Sequence, residues 1–228
     1  MIIDSDDYHD YVIKDGKLIG EFEQMYQKAK GTPWHQDRQE EWLDIRLEVE
    51  MLREYAPFDY ICDFGCGTGH FLSILCSSLG SKNLIQTGLD ISETACARAK
   101  ELFPKGNFST LDLMARPEVN IVDARADEIH PTDYQNALFS IRGTLWYVFP
   151  EMENVVKNIA NRMRNNDLLL VTQNFPPLES KFVGKDVIPN PDAVVKWFSS
   201  CFHLKKHVGF RNFESSGNDN WFIWIFRK

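Results

Sequence analysis

Three observations predict an α/β fold built on a Rossmann-like, mostly parallel sheet flanked by helices. A short apolar run, Tyr60 to Cys62, ends in Asp63 and is followed by glycines at alternate positions, Gly65, Gly67 and Gly69. An apolar face of helical period, Phe71, Leu72, Leu75 and Leu79, resumes directly afterwards. A second β-prone run, Asn83 to Ile91, carries an acid at Asp90, 27 residues after Asp63, which suits one strand-helix-strand unit. Strand, glycine loop, helix and strand form the opening unit of a domain whose loop lets a ligand touch backbone. A plain turn would not need three alternate glycines, each of which costs chain entropy.

Composition narrows the function. With 228 residues, 43% hydrophobic and 25% charged, the chain is long enough for one α/β domain and a small appendage. A formal charge of −8 and a pI near 5.3 argue against a nucleic-acid partner, because phosphate backbones reward a basic surface. No apolar run approaches the length of a membrane span, and the N-terminus carries aspartates where a signal peptide would carry lysines. A cytoplasmic protein with no membrane partner is therefore expected. The five cysteines, Cys62, Cys66, Cys76, Cys96 and Cys201, match no zinc ligand spacing and read as small apolar fillers in a reducing compartment, so no metal is expected.

Taken in order, Tyr11 to Ile19 places Asp15-Gly16 between two β-prone runs, a hairpin signal. Phe22, Met25, Tyr26 and Ala29 are spaced for a short helix that Gly31-Thr-Pro33 stops, and Trp34-His35-Gln36 follows. A second helix is predicted from about Gln39 to Tyr55, with Trp42, Ile45, Val49 and Leu52 on one stripe. The segment 1–38 is too small to fold alone, so the predicted division is a hairpin and lid segment at 1–38 and a main domain at 39–228. Phe22 to Gln36 reads equally as a lid over a pocket or as a helix covering a sheet edge.

Beyond the second strand, Ser92 is an N-cap for a helix through Ala95, Ala99 and Leu102. The third strand has two readings, Asn107 to Leu113 with Asp112, or Val119 to Ala124 with Asp123; spacing leans to Asp112. Asn136 to Ile141 is the fourth strand, leading to Arg142-Gly-Thr-Leu-Trp-Tyr147. Pro150 opens a helix, Asn165-Asn166 supplies a left-handed turn, and Leu168 to Thr172 is a buried fifth strand. The long loop to Pro189, with Lys181 and Lys185, is expected to bear on acceptor specificity. Asn190-Pro191 starts a last helix, and Phe202 to Phe210 and Trp221 to Phe226 close the sheet, the final strand antiparallel, for seven strands in all.

The loop spacing excludes a dinucleotide fingerprint, because the third glycine of Gly-x-Gly-x-x-Gly is His70 here. Asp63-Phe-Gly-Cys-Gly-Thr-Gly69 instead resembles the first motif of class I S-adenosylmethionine (SAM) dependent methyltransferases, and the resemblance extends over about residues 40 to 228, strong at the first two strands and weaker afterwards. It implies a loop bent around the methionine part of SAM, Asp63 near its ammonium, Asp90 on the ribose hydroxyls and an acid after the third strand on the adenine amino group. The cofactor-binding set it implies is Asp63, Phe64, Gly65, Cys66, Gly67, Gly69, Asp90, Ile91, Asp112, Leu113, Asp123, Arg142 and Gly143, with S-adenosylhomocysteine (SAH) as product and no metal.

The catalytic candidates are His35, Tyr147 and Arg142. Methyl transfer from a sulfonium needs in-line orientation and, for a sugar hydroxyl, a base near the operating pH. His35 and Tyr147 are the groups that could take that proton. Arg142 stands where family members often carry an acidic or polar residue, and it could grip an anionic acceptor bidentately or simply pair with Glu151. The expected partner is a small polar acceptor, and the pattern looks most like bacterial enzymes that methylate O or N atoms of sugars or polysaccharide precursors. A NAD(P)-dependent oxidoreductase and a non-catalytic SAM-binding regulatory partner are the alternatives.

Overall fold

The computed structural model describes residues 5–117, 134–211 and 220–228. Two compact units are present, one of Met1–Asp112 with Tyr134–Asn136, the other made of the rest of the chain. Strands β1 (Ile13–Lys14) and β2 (Lys17–Leu18) pair antiparallel, with Lys14 opposite Lys17, so the connection is the two-residue turn Asp15-Gly16. Both turn residues have positive φ, 50° and 71°, as a tight hairpin with the twist of its strands requires.

Helix α1 (Phe22–Lys28) buries Met25 and Tyr26. The single helix expected from Gln39 to Tyr55 is broken into three pieces. A 3-10 stretch spans Pro33–Glu41, α2 covers Leu43–Leu52, and a 3-10 turn follows at Arg53–Tyr55. Trp42 falls at the break, extended at ψ 140°, and serves as the N-cap position of α2 rather than as part of its stripe. Ile45, Val49 and Leu52 do form the buried face.

Strand β3 (Phe58–Phe64), α3 (His70–Leu79), β4 (Gly80–Asp90) and α4 (Glu93–Leu102) then follow in the predicted alternation. Ser92 caps α4, its side chain accepting from the Ala95 N–H. Strand β5 (Asn107–Thr110) pairs parallel to β4, so the third strand falls at the earlier of its two predicted positions; Val119 to Ala124 lies outside the described residues. In the second unit come β6 (Ala137–Arg142), α5 (Leu145–Val148), α6 (Met152–Arg162), β7 (Leu168–Phe175), α7 (Pro191–Phe198), β8 (His203–Arg211) and β9 (Asn220–Arg227). Pro150 sits in a 3-10 turn ahead of α6, and Asn166 has φ 79°, the left-handed turn its sequence indicated. The seven-stranded sheet has the order β5-β4-β3-β6-β7-β9-β8. β9 runs antiparallel to both neighbours, while the pairs β3–β4, β4–β5 and β6–β7 are parallel.

The first unit has a packing feature beneath its glycine loop. The Phe108 ring on β5 fills a hollow formed by three glycines. A Cβ at Gly88 would lie 2.5 Å from that ring, at Gly106 2.6 Å and at Gly69 3.1 Å. A Cβ at Gly88 would also come within 2.8 Å of Cys66 Sγ. The ring is hemmed in on several sides, so it cannot yield to a new methyl without disturbing the loop. Gly88→Ala is therefore expected to destabilise the protein by about 1–3 kcal/mol through overpacking. Urea denaturation monitored by circular dichroism measures this, and a loss below the error of the midpoint would show that Phe108 is free to move.

Candidate functional site

The loop between β3 and α3 is shaped by its glycines. Gly65, Gly67 and Gly69 have φ of 71°, 53° and 83°, all in the left-handed region that a residue with a Cβ rarely adopts. Backbone bonds hold the bend: Gly65 N–H and Cys66 N–H both donate to Leu89 O, at 2.7 and 3.1 Å, and Gly69 N–H donates to Cys66 O at 2.9 Å. Asp63 and Phe64 end β3, both buried. Cys66 is buried too, and its thiol pKa is driven well up by a hydrogen bond with Cys96, by burial and by the charges of Asp90 and Asp63. This keeps it a neutral filler rather than a nucleophile.

Asp90 ties the loop to the end of β4. One carboxylate oxygen accepts from Gly67 N–H at 2.8 Å and the other from Ser92 N–H at 2.9 Å. Only 8% of the residue is exposed. Burial raises its pKa and the negative charge of Glu23 adds to this, against the lowering effect of the Ser92, Gly67 and Ile91 amides; the net direction is upward. A carboxylate has about four lone-pair sites, so these bonds leave capacity to accept from a hydroxyl. Beside it Ile91 is 45% exposed, a large apolar side chain at the strand end that a flat aromatic ring could cover. Asp112 lies two positions past the end of β5 and is exposed. Asp123 lies outside the described residues.

The N-terminal segment meets this loop directly. Glu23 on α1 accepts from Ser92 Oγ at 2.6 Å, Thr94 N–H at 3.1 Å and Thr94 Oγ1 at 2.5 Å, at the head of α4. Burial alone would raise the Glu23 pKa, but these bonds together with one from Gln27 outweigh it and hold the carboxyl below its ordinary value. Gln36 Oε1 accepts from Thr68 N–H at 3.0 Å and Thr68 Oγ1 at 2.7 Å. A Cβ on Gly67 would lie 2.3 Å from Gln36 Nε2 and 2.7 Å from the Tyr26 hydroxyl, so glycine is required there by contact as well as by φ. His35 is exposed, and both Trp34 and His35 have left-handed backbone, φ 52° and 49°. Gly69 holds the cap position of α3 without a side-chain bond, and His70 Nδ1 meets Thr68 Oγ1 at 3.0 Å. Burial lowers the His70 pKa, against the raising charges of Asp37 and Glu40.

The second unit carries the other predicted residues. Leu113 is buried, its carbonyl accepting from Asn158 Nδ2 at 2.8 Å. Arg142 ends β6, with its guanidinium carbon 5.1 Å from the centre of the Trp221 ring. Desolvation pulls its pKa down to about 9. Gly143, at φ 67°, donates to Thr172 O at 2.8 Å and turns the chain into α5. Tyr147 is half-buried on α5. Trp146 donates to Asn174 O at 2.8 Å and packs edge-on against Phe175 and Phe182. Gln173, fully buried on β7, accepts from Leu145 N–H at 3.1 Å and so fixes the start of α5.

Tyr26, Gln36, Thr68 and Glu23 escaped sequence reasoning. Thr68 sits inside the glycine motif and could have been named from it. Gln36 reaches the loop across 32 residues of chain and Glu23 reaches the head of α4 across 71, and no spacing rule encodes that. Among the described residues no group of three His, Cys, Asp or Glu side chains is arranged to hold a metal ion. Nor is any helix among them long and apolar enough to cross a membrane.

Comparison with known proteins bears on the same stretch. Residues 61–166 match the family model described as a methyltransferase domain. No curated protein matches the chain by sequence. Among solved structures, a SAM-dependent methyltransferase from Methanosarcina mazei superposes with a TM-score of 0.57 at 17% identity, over 78% of this chain and 96% of that one. The N-methyltransferase NodS from Bradyrhizobium japonicum, in complex with SAH, gives 0.59 at 14% identity, over 87% and 89%. The phosphoethanolamine N-methyltransferase 2 of Haemonchus contortus gives 0.55 at 12% identity, over 82% of this chain and 52% of that one. At these identities the structures establish a common fold. The glycine loop and the Asp90 tie lie within the stretch of chain that matches the methyltransferase-domain model.

Proposed function

We propose that the protein transfers the methyl group of SAM to an oxygen or nitrogen of a small polar acceptor, such as a sugar or polysaccharide precursor, in the cytoplasm. The observation that carries the cofactor part is the buried Asp90 carboxylate bonded to the Gly67 amide of a three-glycine bend. When bound, SAM supplies a methyl group on a cationic sulfonium, which an oriented nucleophile can displace without a metal. The protein's work is then to hold the cofactor, orient the acceptor and take one proton.

In this reading the ribose hydroxyls donate to the lone pairs that Asp90 has left, Ile91 covers one face of adenine, and Asp112 meets its amino group. Asp63 neutralises the ammonium. Segment 1–38 serves as the lid of the domain at 39–228. His35, exposed on its left-handed turn, takes the proton of a hydroxyl acceptor, with Tyr147 as the other group able to do so. Arg142, at the end of β6 with its guanidinium over Trp221, grips an acceptor that carries a carboxylate or phosphate bidentately in this reading. The formal charge of −8 disfavours a nucleic-acid acceptor.

Calorimetric titration with SAM and SAH tests the cofactor part, and a screen of nucleotide sugars, sugar phosphates and amines for SAH release tests the acceptor. Asp90→Ala is expected to weaken SAH binding about 10–100-fold, the equivalent of a lost hydrogen bond to a charged group. Binding equal to wild type would remove Asp90 from the cofactor site. His35→Asn should cut turnover by about 10²-fold or more with SAM affinity intact, as loss of a general base does. Unchanged turnover eliminates that role. Arg142→Met should raise KM for an anionic acceptor at least tenfold and leave SAM affinity unaltered, read by steady-state kinetics with the best acceptor of the screen.

A further inference from the structure

Gln36 has one half of its amide committed and the other half directed at the glycine loop. The Thr68 backbone N–H can only donate, so the Gln36 atom 3.0 Å from it is the oxygen. That assignment settles the neighbouring protons. Thr68 Oγ1 has a single hydrogen and gives it to Gln36 Oε1 at 2.7 Å; the 3.0 Å contact with His70 must then be a bond from His70 Nδ1–H to Thr68 Oγ1. Three donors in sequence, imidazole, hydroxyl and amide, thus run toward Gln36 Oε1. Drawing electron density to that oxygen makes the Nε2 hydrogens stronger donors.

Nε2 accepts this role by position. It is the nearest atom to the place a Gly67 Cβ would occupy, 2.3 Å away, and none of the hydrogen bonds among the described residues uses it. Nε2 therefore sits at the bend with no hydrogen-bond acceptor among the described residues. The backbone ahead of Gln36 is held in a costly shape to present it there. Trp34 and His35 are both left-handed, a conformation that residues with a Cβ adopt only when their surroundings hold them there. The surrounding contacts, including Trp34 against Tyr8 at 5.3 Å and Tyr26 at 6.5 Å between ring centres, maintain the turn.

We propose that Gln36 anchors the cofactor by donating from Nε2 to the carboxylate of its methionine part. The inference rests on the reading of the glycine loop as the site of that part of SAM, and names an anion and its donor where that reading named none. Tyr26, whose hydroxyl lies 2.7 Å from the same point over Gly67, forms the adjoining wall. The His70–Thr68 relay belongs to the anchor through Gln36, and touches no ligand itself.

The test compares two ligands that differ only in the group concerned, SAM and decarboxylated SAM, by calorimetry on the full chain. Gln36→Ala is expected to weaken SAM about 10–100-fold, as for a lost bond to a charged acceptor, and to leave decarboxylated SAM within about twofold. Gln36→Glu keeps an oxygen toward Thr68 and sets a carboxylate against the ligand's own, so it should weaken SAM further and again spare the decarboxylated ligand. Thermal melts of both variants check the fold. Equal losses for the two ligands would mean that Gln36 only braces the loop. A gain in SAM affinity would make it an obstruction; either result, or no loss at all, overturns the proposal. If the wild-type protein binds SAM and decarboxylated SAM equally, the anchor is wrong while the cofactor stands. If it binds neither, the cofactor reading itself fails.

Discussion

The bond from the Gly67 amide to the Asp90 carboxylate is the constraint on which the site depends. A glycine-rich bend has many accessible conformations, and only fixed partners select one of them. Here the end of one parallel strand supplies the partners for the loop leaving the next. Leu89 O takes two amides and Asp90 takes a third, so the loop is held to the strand end on one side. The other Asp90 oxygen holds Ser92 N–H, and Ser92 in turn caps α4. Loop, strand end and helix start therefore share one carboxylate. A buried acid is costly when unpartnered, and the amides around it offset part of that cost.

Packing beneath the loop serves the same end. Phe108 occupies the hollow of Gly69, Gly88 and Gly106, so the glycines that shape the loop from above are matched by glycines that admit a ring from below. The N-terminal segment completes the arrangement. Glu23 reaches Ser92 and Thr94, and Gln36 reaches Thr68, so that the pieces preceding β3 are bonded to the loop and helix that follow it. These are side-chain bonds to hydroxyls and amides, each worth about 0.5–1.5 kcal/mol net, with the charged ones worth more. Their aggregate helps to dock a segment that is too short to fold alone.

The second unit presents a different chemical character. Arg142 stands at the end of β6 with an aromatic face beneath it, and its pKa is drawn down to about 9 because water is scarce around it. The fold by itself says nothing about the acceptor: many chemistries are grafted on one scaffold.

Alternation of short apolar runs with helical stripes was legible along the chain, and so were the three glycines, Asp63, Asp90, the Asp15-Gly16 hairpin, the Ser92 and Asn190 caps and the antiparallel last strand. These are local in origin: a period, a cap or a positive φ is satisfied within a few residues, and the amino-acid types at those positions declare it. The broken helix around Trp42 was not legible, because the stripe of apolar residues continues through a place where the backbone is extended. Tyr26, Gln36 and Glu23 were hidden for a stronger reason. Their partners lie dozens of residues onward, and only the chain's return past β3 and β4 brings a glutamine amide against a glycine. Which residues build the glycine loop was written in the order of the residues; which side chains close over it was decided by folding, since contact at a distance in sequence has no local signature.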